Sequence, residues 1–86
     1  MPQISNFLGI SIRIYYRDHP PPHFHATYSG FHATIDIHRG VLLSGNLPAR
    51  VVGLISEWCA IHRASLLHNW EKASQLEPLI QIHPLT

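Results

Sequence analysis

Charge is scarce in this chain. Only 13% of its residues are Asp, Glu, Lys or Arg, and six basic against five acidic side chains leave a net charge of +1 and an isoelectric point near 8.1. Domains that hold nucleic acid mainly by electrostatics commonly lie above about 9, so this surface is no general magnet for phosphate. Cysteine is nearly absent as well. Cys59 stands alone, which excludes an internal disulfide and points to a reducing compartment. The chain shows no basic-plus-apolar leader and no long apolar run, so a soluble, cytoplasmic protein without a membrane partner is expected. Internal repeats and low-complexity linkers are also missing.

Hydrophobic residues make up 45% of the chain, a proportion typical of folded proteins. At 86 residues one modest core is expected, because chains of this size bury between about 60% and 70% of their unfolded surface. Residues 1–86 are therefore read as a single domain. Histidine is the residue in excess. Eight of them can add positive charge as pH falls through about 6.5.

Two kinds of periodicity divide the chain. From Ile4 to about Asn46 apolar residues alternate with period two, and from Pro48 onward the spacing turns helical. In the segment Ile10 to Tyr16, residues 10, 12, 14 and 16 form an apolar face and 11, 13 and 15 a polar one. A second strand, His23 to Tyr28, sets Phe24, Ala26 and Tyr28 against His23, His25 and Thr27. After a Ser29-Gly30 turn, a third strand sets Phe31, Ala33, Ile35 and Ile37 against His32, Thr34 and Asp36. Arg39-Gly40 makes the next turn, a fourth strand runs from about Val41 to Ser44, and Ile4 to Phe7 is a short candidate edge strand.

A hairpin centred on Ser29-Gly30 pairs residues whose numbers sum to 59. This register matches Tyr28 with Phe31, Ala26 with Ala33 and Phe24 with Ile35 on the apolar face. On the polar face it sets His25 opposite Thr34 and His23 opposite Asp36, where a carboxylate could accept the imidazole N–H and fix its tautomer. Beyond the sheet, Leu47, Val51, Leu54, Ile55, Trp58 and His62 recur at helical intervals, with Pro48 suited to a first turn. Leu66, Leu67, Trp70 and Ala73 continue the spacing, and a break is expected near Arg63 to Ser65 because an unbroken rod would span roughly 42 Å. Leu79 to His83 forms a candidate edge strand ended by Pro84. The predicted fold is α+β: a small antiparallel meander of about four strands, one face covered by two C-terminal helices and the other displaying histidines.

The stretch DHPPPHFHATYSG, residues 18 to 30, carries the candidate chemistry. Three consecutive prolines fix φ and favour an extended, semi-rigid lead into the second strand, holding His19 near His23 and His25. Three uses fit. His23 and His25 on one face could ligate a divalent metal such as zinc, with His19 or Asp36 as a third ligand. Alternatively, His23 as base and His25 or His19 as acid, with Asp36 orienting His23, could cleave a phosphodiester without a cofactor. Arg13 or Arg17 would then hold the phosphate, with Tyr15 beside them. The third use is a solvated polar face that binds a partner. Elsewhere His32, His38, His68 and His83 read as exposed polar residues, Glu57 and Glu71 as surface charge, His62 as a helix-end residue, and Cys59 as a core thiol. Trp58 and Trp70 read as core or interface anchors.

The segments P-x-I-S-x-F-x-G-I-x-I-R-x-Y-Y from Pro2, D-H-x-P-P-H-F-H-A-x-Y from Asp18, and E-W…H-R…L-L-x-N-W from Glu57 resemble a family of short bacterial proteins. That family is catalogued as domain of unknown function four-one-six-zero. The resemblance spans nearly the whole chain, and P-P-H-F-H-A is its most specific part. Its motif positions here are Arg13, Tyr15, Tyr16, Asp18, His19, Pro21, Pro22, His23, Phe24, His25, Ala26 and Tyr28, and the sequence departs from the pattern at His32, His38 and Ala64. Members are typically encoded beside a second small uncharacterised domain, as toxin–antitoxin pairs are. The resemblance therefore implies a toxin-like protein with a small antitoxin-like partner. An RNA substrate and a homodimer are the further expectations, and the alternative is a non-catalytic binding or regulatory module.

Overall fold

The computed structural model describes residues 2–85. Its strands are β1 (Gln3–Phe7), β2 (Ile10–Arg13), β3 (His23–Tyr28), β4 (Phe31–Asp36) and β5 (Leu42–Asn46), followed by the helix α1 (Ala49–Ser74). The strands form one antiparallel sheet in chain order, so each strand closes on its predecessor through a short connection or loop. The alternation is visible in burial: Ile10, Ile12, Phe24, Ala26, Ala33 and Ile35 are buried on one face, while their chain neighbours Ser11, Arg13, His25 and Thr34 are half-buried on the other.

The β3–β4 register is the one that the Ser29-Gly30 turn predicts. Phe24 lies opposite Ile35, His25 opposite Thr34 and His23 opposite Asp36. Ser29 and Gly30 adopt φ of 46° and 86°, the double positive φ of a two-residue turn whose twist matches its strands. The expected meander of about four strands has a fifth, because Gln3–Phe7 pairs with β2 as the edge strand, with a register shift between Gln3 and Ser5. The strand expected over Ile10 to Tyr16 ends at Arg13. Beyond it Ile14 remains buried, but Tyr16 turns out to solvent at 41% exposure.

One helix replaces the expected two. A single residue, His62 (φ −111°, ψ 21°), leaves helical geometry and kinks α1 without ending it. The break thus falls just before the predicted Arg63 to Ser65, and His62 sits at a mid-helix bend instead of a helix end. On the first half, Val51, Ile55, Trp58 and Cys59 are buried, and Trp58 meets Phe7 and Phe24 with ring centroids 5.3 and 5.7 Å apart. On the second half, Leu66, Asn69 and Ala73 are buried; Leu66 and Ala73 extend the same core, while polar atoms of this half reach the segments flanking the sheet. Ala73 O accepts the Arg17 N–H at 3.3 Å. Asn69 brackets Ile80 from both sides, Nδ2 donating to its carbonyl at 2.8 Å and Oδ1 accepting its N–H at 2.9 Å. The kink lets one helix serve both tasks.

The segment after α1 is not the edge strand expected over Leu79 to His83. It lies beside β1 through one backbone hydrogen bond, Ile82 N–H to Ile4 O at 2.7 Å, and is otherwise held by side chains, including Trp58 Nε1 donating to His83 O at 2.9 Å. No helix among the described residues is long and apolar enough to cross a membrane.

Candidate functional site

The link between β2 and β3 carries the site. The chain leaves Arg13, turns at Tyr16 and Arg17, and bends again through Pro20 and Pro21, so the proline run is a bend and not the extended lead expected of it. Arg17 takes a left-handed φ of 53°, while its N–H is tied to the second half of α1. This turn swings Asp18 back over the start of β3, and the whole constellation follows from that return.

Asp18 Oδ2 is the focus. It lies 3.0 Å from His23 Nε2 and 3.2 Å from His25 Nε2, while Oδ1 accepts the His19 N–H at 2.8 Å. The three side chains are largely enclosed, with 18%, 11% and 12% of the Asp18, His23 and His25 side chains exposed. Their outward-facing nitrogens are also engaged. His23 Nδ1 lies 2.8 Å from Pro21 O, and a carbonyl only accepts, so this nitrogen carries a proton. His25 Nδ1 lies 3.2 Å from His32 Nε2. The rings are clamped by aromatic neighbours, with Tyr15 stacked on His25 at 4.1 Å and Trp70 tilted against His23 at 5.1 Å.

The electrostatics follow from this enclosure. Burial by itself would raise the Asp18 carboxyl, but the hydrogen bonds from His25 and the His19 N–H, with the charge and hydrogen bond of His23, hold it below the ordinary value. Burial pushes His25 below its ordinary value, with the positive charges of His23 and His32 adding to it and Asp18 opposing it. A lowered imidazole stays neutral at physiological pH and keeps a lone pair available.

Several predicted site residues are brought together and others are not. His23 and His25 converge as the alternation required, and Tyr15 is in contact with His25. Arg13 lies opposite His25 in the β2–β3 register, although its guanidinium turns toward β1, Nη2 donating to Gln3 Oε1 at 3.3 Å. Arg17 is exposed beside Asp18. The His19 side chain is exposed and stands outside the convergent Asp18, His23, His25 group; its backbone N–H, not its ring, meets Asp18.

Asp36 is the main correction. Its Cα lies opposite that of His23, but its carboxylate serves the turn that follows: Oδ1 accepts the N–H groups of His38 and Arg39 at 2.8 and 3.2 Å, and Oδ2 accepts Arg39 Nε at 3.3 Å. An Asp at the head of a turn finds unpaired N–H donors within its own next residues, and these outcompete an imidazole across the strand. Asp18 takes the role that the register suggested for Asp36. The signal for it was faint: a carboxylate five and seven residues before His23 and His25 reaches them only if the chain between them doubles back.

A match to a family model runs through all of these residues. It spans residues 9–71, and the family is described as Domain of unknown function (DUF4160). The chain belongs to that family. The Asp18, His23 and His25 cluster lies inside the matched span of the DUF4160 domain, as do Tyr15, Arg17, His32 and Trp70. No curated protein and no solved structure matches the chain.

Proposed function

We propose that this DUF4160 protein is the toxin-like member of a two-protein pair, with the Asp18, His23 and His25 cluster as its working centre on the phosphodiester bonds of RNA. The observation supporting this reading is the convergence of two imidazole nitrogens on one carboxylate oxygen, at 3.0 and 3.2 Å, in a nearly enclosed setting. The core lies on the opposite face of the sheet.

Phosphodiester cleavage needs a group that takes a proton from the attacking oxygen and positive charge facing the non-bridging oxygens. Imidazole supplies the first either directly or by holding a cation that acidifies water. Arg17, exposed next to Asp18, supplies the second, and Arg13, opposite His25 in the register, joins it only by leaving Gln3 Oε1. The low net charge means that such a protein selects its RNA by local contacts and not by a broad field.

The test is growth after tightly controlled induction of the wild type beside a His23→Ala/His25→Ala variant of matched soluble and folded yield, with RNA integrity followed in both. Wild type is expected to arrest growth and fragment RNA, and the variant to lose cleavage by about 10²-fold or more, the usual scale for removing an acid–base group. Arrest by both, or by neither at healthy expression, overturns the reading.

A further inference from the structure

The structure assigns a divalent-cation site, of the zinc class, to Asp18 Oδ2, His23 Nε2 and His25 Nε2. This inference rests on the working centre proposed above and names its cofactor; the donor geometry itself is independent of what the protein cleaves.

The direction in which each ring nitrogen faces is the starting point. His23 Nδ1 faces the carbonyl of Pro21 at 2.8 Å and must therefore hold a proton there, which in a neutral ring leaves Nε2 as a bare lone pair. That lone pair faces Asp18 Oδ2 at 3.0 Å. Two electron pairs at this distance repel unless something positive lies between them. His25 repeats the arrangement. Its Nδ1 can donate to His32 Nε2 at 3.2 Å, and its Nε2 then faces the same carboxylate oxygen at 3.2 Å. Protons alone relieve both contacts only by sitting on both Nε2 atoms, which charges His23 and turns His25 Nδ1 into an acceptor, whereas one cation between the three atoms relieves both and leaves both Nδ1–H groups in use.

Metal-bound histidines characteristically donate their remote N–H to a carbonyl, carboxylate or other acceptor, which fixes the tautomer and aims the ligating nitrogen. Pro21 O does this for His23, and His32 for His25. Tyr15 and Trp70, packed on the two rings, hold the ring planes in place. The spacing also fits. Tetrahedral zinc with bonds of about 2.0–2.1 Å sets its ligands about 3.3 Å apart, and all three donor atoms already lie within 4.8 Å of one another.

The donor types decide the class of ion. Magnesium and calcium prefer oxygen ligands throughout, whereas two neutral imidazoles and one carboxylate suit zinc and its transition-metal neighbours. Three protein ligands leave a coordination position open, as catalytic sites do and closed structural sites do not. The backbone supports the same set: His23 and His25 share a face at i and i+2 on β3, and Asp18 arrives from the Arg17 turn anchored on α1.

The experiment uses the full chain, purified without immobilised-metal resin, stripped with chelator and titrated with Zn²⁺, and with Co²⁺ as a spectroscopic reporter. One equivalent should bind, with the visible absorption of low-symmetry Co²⁺. Asp18→Asn, His23→Gln and His25→Gln should each weaken binding at least tenfold, His32→Ala up to about tenfold as an outer-shell loss, and His19→Ala not at all. Ring ¹⁵N shifts of the wild type provide a check that needs no variant: on Zn²⁺ addition the Nε2 signals of His23 and His25 should move while their Nδ1 signals stay protonated. Binding no tighter than that of a His23→Gln/His25→Gln variant, Nε2 signals that do not move, or equal sensitivity to His19→Ala would overturn the assignment. The two proposals fail separately. RNA cleavage by fully metal-free protein would remove the cation and leave the working centre, whereas tight Zn²⁺ binding without growth arrest would remove the toxin reading and leave the site.

Discussion

Asp36 shows how one carboxylate can hold a turn while another serves the site. It is 5% exposed and accepts two backbone N–H groups and the Arg39 side chain. Replacing it by Ala leaves those donors without an acceptor, and a loss of about 1–3 kcal/mol in urea-unfolding free energy is expected. Burial raises this carboxyl, but the hydrogen bonds from Arg39 and His38 and the Arg39 charge outweigh it, so it titrates below its ordinary value of 3.8. A carboxyl depressed in the folded state stabilises fully above its unfolded value and loses that contribution as pH falls through the folded one. Stability should therefore fall on acidification below about pH 4, and Asp36→Asn should flatten that acid limb in urea midpoints measured against pH. An unchanged limb would show that Asp36 does not set it. Cys59 illustrates the opposite case: burial raises its thiol, with Arg63 only partly offsetting it, as expected for a core cysteine and not a nucleophile.

At the scale of single elements, β5 and α1 carry the clearest constraints. Gly45 in β5 has φ of +85°, and a Cβ there would run into the backbone of His32 and Ala33. Gly45→Ala should cost about 2 kcal/mol or more, combining backbone strain with displacement of β4, and chemical denaturation with ¹H–¹⁵N spectra would show the disturbance centred on β4 and β5. The second half of α1 acts as a bracket. Asn69, 1% exposed, makes both of its hydrogen bonds to Ile80, and Asn69→Ala should free the segment after the helix without unfolding the sheet. Hydrogen exchange should then accelerate at Ile80 and Ile82 while β3 amides keep their protection. Loss of protection everywhere would mean that the bracket is part of the global fold.

For the molecule as a whole, Trp58 ties the helix to the sheet and to the C-terminal segment: it is fully buried, packs on Phe7 of β1 and Phe24 of β3, and donates to His83 O. Trp58→Ala should remove about 3–5 kcal/mol, a large share of the 5–15 kcal/mol that holds an ordinary domain together, and so depress the whole thermal transition. Much of this architecture was legible in the sequence. The alternation of Phe24, Ala26, Ala33 and Ile35 and the Ser29-Gly30 turn were enough to set the β3–β4 register, because side-chain alternation and turn geometry act over only a few residues. The same short-range rules placed His23 and His25 on one face. Whether α1 breaks or bends at His62, whether Leu79 to His83 pairs as a strand, and which carboxylate meets the histidines depend on contacts between residues far apart in the chain, such as Arg17 with Ala73 and Asn69 with Ile80. Sequence spacing offered Asp36 and His19 as companions for His23. Tertiary structure chose Asp18, because Asp36 was already claimed by the N–H groups of its own turn and only the doubled-back chain between β2 and β3 could carry another carboxylate within hydrogen-bonding distance of both rings.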